Sequence, residues 1–409
     1  MTPFLQLAIS LAIIITAAKL GGSLSFRIGQ PAVLGELIVG ILLGPSILNL
    51  LELPYFTDQH LPEVIHQLAE MGVLMLMFLA GLEMHLSDLL RSSKVAALAG
   101  VFGVILPLIL GTITGRLFAM DILPAIFVGL ILSATSVSIS AQTLMELKVL
   151  RSRVGVGLLG AAVFDDVLVL LGLAVFTAVT QPEAGTGLIN VLGIILKMAL
   201  FLGIASAIGW WAFPRLNRRI SNLPVSQGLI AFTFVTILLY AWLAETMGHM
   251  ATITGAFLAG LWFSRTPERE RIHHDIATIA YGVFVPVFFI NIGLSVNARQ
   301  LTWESDLLML VMVLVAVIGK VLGSGYGAFW GGLTRREAIQ LGVGMISRGE
   351  VGLIVAAIGI EESLIQESTF SAVVGVVILT TILTPLLLRA LFPKAQTKNA
   401  KAQNKSEGV

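Results

Sequence analysis

Residues 154–179 read VGVGLLGAAVFDDVLVLLGLAVFTAV, and the only charged side chains in this run are the neighbours Asp165 and Asp166. As a helix rising about 1.5 Å per residue, the run is long enough to cross about 30 Å of hydrocarbon. An ionisable group at that depth costs at least about 2.5–3.5 kcal/mol, so it is kept where there is a cation, a proton or a counter-charge to hold. A pair of carboxylates in such a helix points to ion transport.

The rest of the chain agrees with a membrane setting. With 56% apolar residues, 12% charged residues and a mean hydropathy of +0.94 over 409 residues, it is too apolar for a water-soluble protein. Thirteen apolar segments stand out, at roughly 3–22, 32–50, 63–82, 95–117, 124–145, 154–179, 187–213, 225–247, 250–264, 276–297, 305–331, 336–360 and 369–392. The pattern predicts an all-α polytopic membrane protein with 13 transmembrane helices, forming one transmembrane unit over 1–393 with a short basic cytoplasmic tail at 394–409. The first apolar run lacks a basic flank and a small-residue cleavage site, and so reads as a first helix instead of a removed signal peptide. The absence of cysteine excludes disulfides, thiol catalysis and thiolate metal sites. A net charge of +1 gives no reason to expect nucleic acid as a partner.

Charge placement orients the spans. With the N-terminus outside, 19 of the 25 lysines and arginines fall on the cytoplasmic face, among them Arg91, Lys94, Arg151, Arg153, Arg269 and Arg271, against Arg116 and Arg299 on the other. That asymmetry predicts N-out and C-in topology, in a cytoplasmic or a thylakoid membrane, since both obey the same rule. The remaining four, Lys19, Lys197, Lys320 and Arg348, lie within spans.

Two stretches repeat. Gly35–Gly40 in the second span and Gly255–Gly260 in the ninth share a glycine spacing 220 residues apart, and Gly81 in the third span lies 212 residues before Gly293 in the tenth. Both matches join spans seven apart, so the copies cross in opposite directions, the inverted-topology arrangement of many secondary transporters. Such folds break one helix in each half near the midplane. Span five carries five hydroxyls in the eight residues Ser133–Ser140, and span twelve carries Gly342, Gly344, Ser347, Arg348, Gly349, Glu350 and Gly352, with Thr135 and Ser347 again 212 apart. The alternative is that the hydroxyls back-bond to carbonyls and the glycines serve close packing.

Lys320 lies midway along span eleven and requires an acidic partner, for which Asp165 or Asp166 is the candidate. Adjacent helical residues point about 100° apart. One aspartate can therefore pair with the lysine while the other faces an aqueous cavity and exchanges protons. A carboxylate with hydroxyls and unwound carbonyls is also an oxygen set suited to a dehydrated sodium ion. Proton and cation then exclude one another and cross in opposite directions. The competing reading of the pair is a static buried salt bridge that fixes helix register. Arg348 and Glu350 either neutralise half-helix ends or pair with each other. Glu36 and Glu83 lie nearer the membrane faces, and His273-His274 falls in a charged loop.

At this point the chain resembles a known group. Gln30–Leu37, Gly40–Pro45, Met77–Glu83, Ser133–Ser136, Asp165-Asp166, Phe288-Phe289 and Arg348–Gly352 follow in the order of the monovalent cation:proton antiporter superfamily, in the group holding NapA-like sodium/proton antiporters and Kef-like potassium efflux systems. The resemblance implies a NapA-like fold with two broken crossing helices, a homodimer, and a core including about 63–179 and 276–392 that moves like an elevator. It implies Asp166 as carrier of cation and proton, with Thr135 and Ser136 as further ion ligands, and Asp165 with Lys320 as the pair found in electrogenic members. Electroneutral relatives place an asparagine, and Kef-type proteins a glutamine, where this chain has Asp165.

The sequence therefore predicts a secondary active sodium/proton antiporter, electrogenic, using the sodium ion and proton as cargo and no cofactor. The rivals are a potassium/proton or electroneutral exchanger on the same scaffold, a gated cation channel and a sodium-coupled organic-anion symporter. No metal cluster, nucleophile–base set or phosphate loop supports an enzyme.

Overall fold

The computed structural model describes residues 1–180, 188–221, 226–295, 303–362 and 364–392; Arg299, the tail at 394–409 and the side chain of Glu350 lie outside the described residues. All regular structure among the described residues is helical. In chain order the helices are α1 (Pro3–Arg27), α2 (Ala32–Leu43), α3 (Leu61–Glu83), α4 (Leu86–Arg91), α5 (Ser93–Leu117), α6 (Ile122–Ser133), α7 (Val137–Glu146), α8 (Arg153–Thr180), α9 (Leu188–Ser221), α10 (Gly228–Thr246), α11 (Thr252–Phe263), α12 (Arg269–Ile279), α13 (Val285–Leu294), α14 (Trp303–Trp330), α15 (Arg335–Gly344), α16 (Glu350–Glu361) and α17 (Glu367–Leu391). A π-helical turn, Ala280–Phe284, joins α12 to α13.

Among the described residues, ten stretches are long and apolar enough to cross a membrane, counting α6 with α7 and α12 with α13 as single spans. That number does not confirm the thirteen transmembrane helices read from the sequence, because three of the thirteen apolar segments hold shorter helices. Segments 32–50 and 250–264 hold α2 and α11, of 12 residues each, or about 18 Å at the helical rise. In the first of these, Pro45 follows Gly44 directly after α2 and disfavours helical backbone before it. Segment 336–360 is divided between α15 and α16.

The helices pack as two bundles. In the first, α2 meets α13 and α3 meets α11 at glycines. A Cβ on Gly40 would overlap the Ile290 carbonyl and one on Gly293 the Gly40 backbone, while one on Gly81 would overlap the Phe257 carbonyl and one on Gly260 that of Phe78. The two contacts are each other's counterpart under exchange of Gly40 with Gly260 and of Gly81 with Gly293, which is what two-fold-related halves require. The centre of this bundle is aromatic: Phe263 lies tilted against Phe213 at 4.6 Å and edge-on to Phe78 at 5.6 Å. The tightest backbone approaches of α3 and α13 are thus to α11 and α2, whereas the sequence expectation groups 63–83 and 276–294 with the core.

The second bundle comprises α5–α8 and α14–α17. Its helix α14 carries two opposed stripes at helical spacing. Leu310, Leu314, Ile318 and Leu322 are exposed, whereas Met312, Ala316, Lys320 and Ser324 are fully buried. On α9, Leu192, Leu196, Leu200, Ile204 and Ile208 are likewise exposed. Long apolar stripes on the outside suit a hydrocarbon solvent.

Candidate functional site

Both segments expected to break do so. Between α6 and α7 the chain is extended at Ala134 (φ −62°, ψ 142°) and Ser136 (φ −99°, ψ 111°). Between α15 and α16 residues 346–349 are non-helical. The two breaks touch, because the Ser136 amide donates to the Ser347 carbonyl at 2.9 Å. Helix ends leave backbone groups without intrahelical partners, and here they lie inside the protein. Arg348, 2% exposed, addresses the carbonyl ends. Its guanidinium donates to the Leu132 carbonyl of α6 at 2.6 Å and to the Met345 and Ile346 carbonyls beyond α15 at 3.2 and 2.8 Å. Its own amide donates to Thr380 Oγ1 at 3.2 Å, and its carbonyl accepts from Thr381 Oγ1 at 2.8 Å. One cation thus sits at the negative ends of two half-helices, where a positive charge is favoured.

The hydroxyls of 133–140 divide. Ser133 bonds back to the Leu130 carbonyl, Ser136 pairs with Ser138 at 3.1 Å, and Ser140 crosses to the Gly344 carbonyl. Thr135 Oγ1 and Ser347 Oγ are buried without a hydrogen-bond partner among the described residues. Back-bonding therefore accounts for Ser133 and leaves Thr135 unexplained. The structure does not join Thr135 to Asp166 by a hydrogen bond, since the threonine oxygen is unpartnered.

Asp165 and Asp166 sit on α8 and are 0% and 6% exposed. Lys320 Nζ donates to Asp165 Oδ1 at 2.5 Å, and neither side chain reaches solvent. Asp165 Oδ2 has no hydrogen-bond partner among the described residues. Asp166 points elsewhere: its Oδ2 accepts from Thr254 Oγ1 at 3.2 Å, and Thr254 is 3% exposed in the first turn of α11. The 100° between neighbours thus sends one carboxylate to a lysine of its own bundle and the other to a threonine of the opposite bundle.

Thr254 was not singled out in the sequence. It immediately precedes the Gly255–Gly260 repeat, but a threonine in an apolar helix gives no signal of its own, since most such hydroxyls bond to the preceding turn. The other basic residues within spans have separate partners. Lys19 donates to the Tyr281 carbonyl at 2.7 Å in the π turn, where the altered ladder frees backbone oxygens. Lys197 lies 3.2 Å from His249 Nε2. Glu36 is buried, and Glu83 lies 3.4 Å from His273 and 4.0 Å from Arg151.

Comparison with known proteins identifies the family of the chain. A family profile described as "Sodium/hydrogen exchanger, transmembrane" matches residues 11–394. The chain is 38% identical over 392 residues to the Na(+)/H(+)-K(+) antiporter GerN of Bacillus cereus, covering 96% of this chain and 97% of that one. It is 36% identical over 379 residues to a Na(+)/H(+) antiporter of Enterococcus hirae, covering 93% and 96%. Among solved structures, the sodium proton antiporter MjNhaP1 from Methanocaldococcus jannaschii superposes with a TM-score of 0.68 at 15% identity, covering 97% of this chain and 99% of that one, and shares the fold. The match of nearly the whole chain to the profile, with relatives of this identity and coverage, establishes that the protein belongs to the sodium/hydrogen exchanger family, a family of transporters.

Proposed function

We propose that the protein exchanges sodium ions for protons across the cytoplasmic membrane, with Asp166 as the site for which the two compete. The observation that carries this reading is the fully buried Lys320–Asp165 pair at 2.5 Å, on the same bundle as a second carboxylate aimed away from it. Asp166, the unpartnered Thr135 hydroxyl and Ser136 beside it supply oxygens for a dehydrated monovalent cation. Arg348 holds the broken helices in place through the Leu132, Met345 and Ile346 carbonyls.

Charge counting gives the stoichiometry. When protons are bound, Asp165 is an anion, Lys320 a cation and Asp166 neutral, so the three sum to zero. When sodium binds Asp166 and Lys320 gives up its proton to the same aqueous side, the three groups and the ion sum to −1. Two protons then cross for each sodium ion, and the cycle moves one charge. If Lys320 keeps its proton throughout, the sodium-loaded state also sums to zero and exchange is one for one. Electrogenicity therefore resides in whether Lys320 releases its proton.

The displacement that exposes Asp166 alternately is assigned to α5–α8 and α14–α17 moving against the first bundle within a homodimer, N-terminus outside and C-terminus inside. A second reading has a specific support: the Bacillus cereus relative at 38% identity bears potassium in its name beside sodium and protons. Protein reconstituted in liposomes with a lumenal pH dye, given sodium, potassium or lithium with and without a clamped potential, tests both. Sodium-driven proton movement that responds to potential is the expected result. A response to potassium alone, or indifference to potential, moves the protein to the potassium or the electroneutral class.

A further inference from the structure

An exchanger stays coupled only if its empty carrier does not return, because an empty return converts exchange into a leak. Building on the carrier role of Asp166, we propose that Thr254 is a positioning residue that enforces this rule: its hydroxyl holds the bare Asp166 carboxylate from the opposite bundle and so pins the empty core. The geometry is specific. Thr254 Oγ1 donates to Asp166 Oδ2 at 3.2 Å, and both side chains are buried, at 3% and 6% exposure. The two residues belong to different bundles, α11 on one side and α8 on the other.

Four other buried threonines, Thr114 on α5, Thr143 on α7, and Thr233 and Thr236 on α10, bond to a carbonyl four residues back on their own helix. Thr254 instead spends its proton across the interface, on a carboxylate.

The bond is strong only while that carboxylate carries its charge, because a hydrogen bond to an ionised acceptor is roughly twice as strong as a neutral one. A proton or a sodium ion on Asp166 neutralises the acceptor and loosens the link. The loaded core is released, and the empty core stays tied. Loss of a hydrogen bond to a charged group corresponds to about a tenfold or greater change in the population of the untied empty state.

The test uses the full chain in liposomes loaded with radioactive sodium and diluted into sodium-free, potassium-free alkaline buffer, with the permeant organic cation tetraphenylphosphonium on both sides to collapse the potential. Sodium lost and protons gained are measured together. Wild-type protein should show a fixed ratio. Thr254→Val, which keeps the shape of the side chain, and Thr254→Ala should each raise the part of sodium loss not matched by protons by about tenfold, and so raise the ratio, and Thr254→Ser should restore the wild-type ratio. The ratio is read from whatever transport remains, so a loss of amount of folded protein does not move it. A wild-type ratio in both hydroxyl-free variants, at any rate, overturns the proposal and leaves Thr254 a packing residue. Asp166→Asn serves as the separate control: if it still exchanges sodium for protons, the carrier assignment itself fails, whatever Thr254 does.

Discussion

Lys320 and Asp165 are stable inside the second bundle only through each other. With both side chains at 0% exposure and 2.5 Å apart, removing one partner strands a charge in an apolar surround, at a cost of about 3–5 kcal/mol. Lys320→Gln is expected to lower the melting temperature of the purified protein markedly, and the double variant Asp165→Asn/Lys320→Gln to recover most of that loss. In liposomes the single variant should exchange without response to membrane potential, since the second proton is gone. A Lys320→Gln protein that melts like wild type and still moves charge would show that the pair is neither the stabilising element nor the second proton site. These residues were legible in the sequence for the same reason that they are costly: a charge in an apolar run has to be accounted for. Arg348 was visible on that ground too, but its three carbonyl partners were not, because they come from α6 and from the end of α15, and only the fold brings those together. Thr254 was invisible, since nothing in an uncharged side chain announces a long-range partner.

Short helices concentrate the consequences of their ends. The N-terminus of α2 follows Pro31 and has no side-chain cap of its own. It is closed instead from α7, where Glu146 accepts from the amides of Ala32 and Val33 at 2.5 and 3.2 Å while Gln142 steadies the carboxylate at 2.9 Å. A carboxylate on exposed helix amides is favoured both as a hydrogen-bond acceptor and by the positive end of the helix. Glu146→Ala should therefore cost about 1–2 kcal/mol, read as a fall in melting temperature, and Glu146→Gln, which keeps an acceptor but no charge, should fall between the two. Equal melting of all three would deny the cap any weight. At this scale the sequence was informative about where helices lie and less so about their length. The hydroxyl-rich and glycine-rich breaks were marked by composition, and both occur at the marked positions. The extent of α2 was overread because apolar residues continue past Pro45, and hydropathy does not register that proline stops a helix while leaving the segment apolar.

Across the whole molecule, the polar contacts between the two bundles are scattered side-chain contacts set in shared apolar packing, among them Glu146 on the start of α2, Thr254 on Asp166, Arg389 on the Gly29 carbonyl, Arg151 with Glu83, and the Tyr281 hydroxyl 3.8 Å from Met145 Sδ. Within each bundle, by contrast, backbones touch at glycines that admit no side chain, such as Gly323 of α14 against the Phe102 carbonyl of α5. An interface of scattered side-chain contacts can slide, whereas backbone packed on backbone cannot, because interiors of that density do not deform continuously. If transport requires one bundle to pass the other, a covalent link between them must stop it. The chain has no cysteine, so a pair introduced as Met145→Cys and Tyr281→Cys is the only thiol pair present and bridges α7 to the π turn before α13. Joined by a short reducible thiol linker, the double variant in liposomes should lose sodium/proton exchange and regain it on reduction, while each single variant is unaffected by the reagent. The comparison is internal to one protein preparation, so any cost of the substitutions themselves cancels. Undiminished exchange at complete cross-linking would mean that the bundles do not move past each other here, and that access to Asp166 alternates by a smaller rearrangement at the crossing of the broken helices.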